Sequence, residues 1–176
     1  SLATAPDSQP FALALGHAFL VVARLLLAMS TFSWLLDERG LAVCHFGWDE
    51  ASLSEAAHGL RRFAVIFVPL VFIASLNGTD HAPFVNRESL ARVAFSLAML
   101  TLAAFHVRLF RRGSPLLHRL LGRSPLSWAV QLHAVWAGVL VAAPLALAAL
   151  AAAGYFVAAG YFFARILESV FLGLGA

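Results

Sequence analysis

Five apolar stretches, separated by polar, charged or glycine-containing breaks, dictate most of what this chain can become. The first, residues 11–36, is twenty-six residues long and carries one charge, Arg24. About 20 apolar residues suffice to cross a bilayer as a helix. The others cover 63–76, 90–110, 126–153 and 155–176. One water-facing core cannot absorb them: the chain is 61% hydrophobic and 12% charged, against about 45–50% and about 25% in soluble proteins. Disorder is excluded by the same values, because disordered chains are polar and charge-rich. Strand-like alternation never persists beyond a few residues, so the expected fold is all-α. We expect a polytopic transmembrane helical bundle of four complete spans plus a truncated or interfacial fifth helix.

The second stretch has fourteen residues, few for an upright span. Arg61 and Arg62 precede it and can snorkel, so a span over about 61–76 is expected. Pro69 should kink this span and Pro144 the fourth, because proline removes a helical hydrogen bond. Ahead of Arg61, Ser52 and Glu55 have capping-box spacing, with Asp49 a rival cap. Leu53, Ala56, Ala57 and Leu60 then recur at helical intervals. An interfacial helix over about 49–60 is expected; an ordinary polar loop with chance spacing is the alternative. Phe46 and Trp48 are of the aromatic type that favours the headgroup zone. Residues 1–10 form a polar lead without the basic region of a signal peptide. The chain begins at Ser1 rather than Met and stops in an apolar run, which predicts a piece of a longer polypeptide.

All 12 basic residues are Arg, against 9 acidic ones. They flank apolar runs instead of covering a soluble basic face, so nucleic acid is not an expected partner. If successive spans alternate, Arg39, Arg61, Arg62, Arg108, Arg111, Arg112, Arg119 and Arg123 fall on one side, and Arg87 and Arg92 on the other. The positive-inside rule then puts 37–62 and 108–123 in the cytoplasm, and the N-terminus with the 77–88 loop in the periplasm or its equivalent.

Chemistry-bearing motifs are sparse. Cys44 is the only cysteine, which removes an intramolecular disulfide and any cysteine metal cluster. Zinc-protease and hydrolase signatures are missing, and Asn77 to His81 reads first as turn chemistry. No catalytic residue, metal site or cofactor is expected. His106 and His133 could face each other near one end of the third and fourth spans. They support the main alternative, a b-haem membrane anchor subunit of an electron-transfer complex. A carrier subunit would need a polar midplane site, and the spans offer little for one.

The intramembrane charges carry more information. Arg24 is thirteen residues beyond Phe11 and Glu168 thirteen beyond Tyr155. Both therefore lie about 20 Å along their helices. A central charge costs about 2.5–3.5 kcal/mol on insertion scales, so a partner is expected. Arg24–Glu168 between helices is the preferred pair; Arg165–Glu168 within one helix is the alternative. The small residues of 142–160 suit close helix packing, with a pore lining as the other reading.

His45-Phe46-Gly47-Trp48, with Gly40-Leu41-Ala42 before it and Leu60-Arg61-Arg62-Phe63 after, resembles a known pattern. Further matches are Leu90-Ala91-Arg92-Val93-Ala94-Phe95, Ala143-Pro144-Leu145-Ala146-Leu147, Ala153-Gly154-Tyr155-Phe156 and Leu167-Glu168-Ser169. Together they resemble the inner-membrane domain ahead of the pore in MscK-like channels of the small-conductance mechanosensitive superfamily. The resemblance implies helical paddles around a homoheptameric pore in a bacterial inner membrane, opened by tension in hypo-osmotic shock. It implies membrane lipids and the rest of the same chain as partners. The family's pore helix and β-rich cytoplasmic domain have no counterpart within these residues, so no gate residue is carried over. Phe46, Trp48, Arg61 and Arg62 are the expected lipid contacts.

Overall fold

The computed structural model describes residues 8–35, 50–77, 87–110 and 128–175, with side chains over 11–34, 57–77, 88–110, 135 and 137–169. Among the described residues five helices follow in order: α1 (Ser8–Leu35), α2 (Glu50–Asn77), α3 (Arg87–Phe110), α4 (Trp128–Ala152) and α5 (Phe156–Gly175). α1 starts two residues before Pro10. The missing proline N–H falls in the first turn, where helical amides have no intrahelical partner.

Among the described residues, three helices are long and apolar enough to cross a membrane: Phe11–Trp34, Ala57–Asn77 and Glu88–Phe110. The sequence divides 49–76 into an interfacial helix and a short span, whereas α2 runs through without a break. Leu60 to Phe63 contains no glycine or proline, and arginine is a good helix former. A charge interrupts an apolar run without interrupting a helix. α2 begins at Glu50, so the Ser52–Glu55 spacing falls inside it. Pro69 lies within α2 and Pro144 within α4. Lacking an N–H, each leaves the carbonyl four residues earlier, at Val65 and Leu140, without its helical donor.

α3 is the hub, packed against both α2 and α4, while α1 leans on α2 and α5 on α4. Eleven of the eighteen buried hydrophobic residues among those described are alanine. Ala91, Ala94 and Ala98 form a seam along α3, and Ala14 and Ala18 one along α1. In lipid, helices gain little by hiding apolar surface, so close approach along such seams supplies the contact energy. Aromatic rings fill the wider gaps. Phe63 stacks on Phe67 and on Phe105, both at 4.6 Å, joining α2 to α3. Phe163 of α5 meets Phe67 and Phe95 edge-on at 6.5 and 6.1 Å. Hydroxyls on the helices bond backwards, as Thr31 donates to the Leu27 carbonyl and Thr101 to that of Leu97.

The α4–α5 junction is a Schellman turn. Tyr155 N–H donates to the Leu150 carbonyl at 3.0 Å and Gly154 N–H to that of Ala151 at 3.1 Å. Gly154 has φ of 102°, where a Cβ would be strained. This turn sends α5 back beside α2 and α3, and so builds one wall of the cavity described next.

Candidate functional site

Two features of the bundle invite a functional reading: a cluster of cations at one end and a cavity between α1 and α5. The cluster follows from the helix order. Phe63 stacks on Phe105, and Val71 and Ala74 share a cavity with Phe95, so α2 and α3 run antiparallel. Arg61 and Arg62 on α2 therefore lie at the same end as Arg108 on α3. All three are exposed, and none makes an ion pair among the described residues. Arg92, near the opposite end of α3, is held by Glu88 at 3.2 Å. Free cations thus collect at one end, while at the other a carboxylate matches the arginine. Phe46 and Trp48 lie outside the described residues, as do the side chains of Ser52 and Glu55.

The cavity measures about 310 Å³ and is lined from four helices. Val71, Phe95, Phe156 and Phe163 make its apolar wall; His17, Arg24, Ser75 and Glu168 are its polar lining. Arg24 and Glu168, placed at one depth by counting along their helices, do share this cavity. The carboxylate, however, accepts from Arg165 at 2.8 Å, across one turn of α5. Arg165 is held further: its Nε donates to the Tyr161 hydroxyl at 3.0 Å and its guanidinium lies 5.0 Å from the Tyr161 ring centre. The local pair forms because three residues on a helix bring side chains together without moving a backbone. Arg24 makes no hydrogen bond or ion pair among the described residues.

Sequence reasoning placed neither the cavity nor His17 at its edge. One signal was present: Gly160 breaks the bulky face of α5, and a Cβ built there meets no atom within 4 Å. Ala148, Ala151 and Ala159 from the same small-residue region are buried, while Ala146, Ala149 and Ala153 are exposed. Pro144 is buried and Pro69 is exposed. His106 stacks parallel to Phe110 at 6.3 Å, and the side chain of His133 lies outside those described. Among the described residues, no three His, Cys, Asp or Glu side chains gather as a metal ion would require.

The family model for mechanosensitive ion channel inner membrane domain 1 matches residues 1–176. No curated protein and no solved structure matches the chain. A match running through every apolar helix of an all-helical bundle leaves one assignment: the chain belongs to the mechanosensitive ion channel inner membrane domain family.

Proposed function

We propose that this chain is the tension-sensing, lipid-contacting module of a bacterial MscK-like mechanosensitive channel. Its pore is supplied by other residues of the same polypeptide, assembled as a homoheptamer in the inner membrane. The observation that carries this reading is the family match over residues 1–176. The apolar bundle supports it, since only 17–28% of each candidate span is buried and most helix surface is left to lipid. In this reading α4 is a fourth span, because its 25 residues reach about 37 Å. α5 completes the bundle as a spanning or interfacial fifth helix. The arginine-rich end, with Arg61, Arg62 and Arg108, faces the cytoplasm.

Tension favours whichever state occupies more membrane area, and a two-state bundle responds only if its states meet lipid differently. Arg61 and Arg62 hold the start of the apolar part of α2 at the headgroups. Pro69 and Pro144 then provide bending points where a helix changes tilt while its ends stay anchored. No step here needs enzymatic chemistry or a cofactor.

The test is survival of hypo-osmotic shock. Cells lacking their own mechanosensitive channels should survive when they express the complete gene. Deleting the segment that encodes residues 1–176 should shift survival to a different shock strength. Equal survival curves for the two genes would remove the sensing role.

A further inference from the structure

We propose that the cavity between α1 and α5 binds one anionic amphiphile, its oxyanion head on the Arg24 guanidinium and its apolar part against Val71, Phe95, Phe156 and Phe163. The inference rests on the chain lying in a membrane and is independent of tension sensing. Size comes first: about 310 Å³ falls at the lower edge of small-molecule sites, roughly 300–1,000 Å³, and well above a packing defect. Four helices shape the cavity, so its walls are set by the fold and not by one mobile element.

Charge decides the ligand class. Arg24 and Glu168 are the arginine and the carboxylate in the lining. Glu168 is matched by Arg165 at 2.8 Å, and Arg165 is itself fastened to Tyr161. The cavity therefore holds one cation whose charge the described residues leave unmatched. Within a span, such a charge calls for a partner. A guanidinium is shaped for carboxylate or phosphate oxygens, which it can grip with two parallel hydrogen bonds.

Depth favours an amphiphile over a free ion. Phe19 lies against Phe72 at 5.5 Å, and Arg24 shares the cavity with Val71 and Phe95. A helical side chain leans toward its own N-terminus, which carries the guanidinium toward that level. Val71 is six residues from the end of α2 at Asn77, and Phe95 seven from Glu88. Each interval corresponds to about 9–11 Å. That level is inside the apolar span, where a bare ion is costly but an amphiphile carries its head in on its own chain, and the aromatic wall suits a hydrocarbon tail.

The full chain, purified in detergent, is titrated separately with 1-oleoyl lysophosphatidate, 1-oleoyl lysophosphatidylcholine and inorganic phosphate, and occupancy is read by native mass spectrometry. Lysophosphatidate should bind once per chain, about 10- to 100-fold tighter than the zwitterionic lipid, as expected for a charge-assisted head contact. Arg24→Gln should erase that preference. Gly160→Phe leaves the charge untouched and puts a ring into open space, so it should weaken both lipids. Equal affinities in the unmodified chain, a preference that survives Arg24→Gln, or unchanged binding in Gly160→Phe would each overturn the proposal. So would phosphate alone binding as tightly as lysophosphatidate, which marks a free-anion site. If Arg24→Glu with Glu168→Arg regains the thermal stability that each reversal loses, Glu168 is the partner of Arg24 and the proposal fails. None of these readouts involves tension, so failure here leaves the sensor reading standing.

Discussion

Phe67→Ala is expected to destabilise the helical bundle by about 2–3 kcal/mol, measured as the shift in an SDS-titrated unfolding curve. In a soluble core, phenylalanine truncation costs about 3–5 kcal/mol, part transfer from water and part lost packing. Separated helices in a membrane still bury Phe67 in hydrocarbon, so most of the transfer part falls away. What remains is contact: the ring is 2% exposed, stacks on Phe63 at 4.6 Å and meets Phe163 at 6.5 Å. Removing it opens a void where α2, α3 and α5 converge. Val65→Ala, two residues away at a 70% exposed position, should change stability by less than about 0.5 kcal/mol. Equal losses at the two sites would mean that Phe67 is not in a packed core.

The second large effect runs the other way in volume. Ala98 is 0% exposed on α3, in the seam with Ala91 and Ala94. Ala98→Leu inserts three heavy atoms where backbones approach closely, and overpacking costs about 1–3 kcal/mol. Because α3 contacts both α2 and α4, neither neighbour can yield without disturbing the other. The mutant should unfold at lower SDS fraction, whereas Leu100→Ala on the exposed face of α3 should behave like the unmodified chain. An Ala98→Leu variant as stable as its parent would show the seam to be loose.

The contrast between these sites explains what could be read from the sequence. The apolar runs placed α1, α3, α4 and α5 to within a few residues, because in lipid the length of an apolar run and the length of a helix are governed by the same requirement. α2 exceeded its apolar run, since hydropathy stops at Arg61 while backbone hydrogen bonding does not. The depth argument put Arg24 and Glu168 at one level, and both line one cavity, yet Glu168 is bonded to the nearer Arg165. Depth counting fixes height along a helix and says nothing about rotation, and rotation decides which cation a carboxylate meets. The cavity was not legible, because it depends on four helices leaving Gly160 opposite open space. The family resemblance was legible in the order of short motifs, and the match over residues 1–176 establishes its coarser part, the mechanosensitive ion channel inner membrane domain.

Pressure ramps on giant spheroplasts lacking their own mechanosensitive channels test the central claim most directly. Three genes are compared: the complete gene, the same gene without residues 1–176, and residues 1–176 alone. A sensing module without its own pore predicts pressure-activated steps from the complete gene, steps at a shifted threshold from the deletion, and silence from residues 1–176 alone. Identical thresholds for the first two, or conducting steps from residues 1–176 alone, would contradict it.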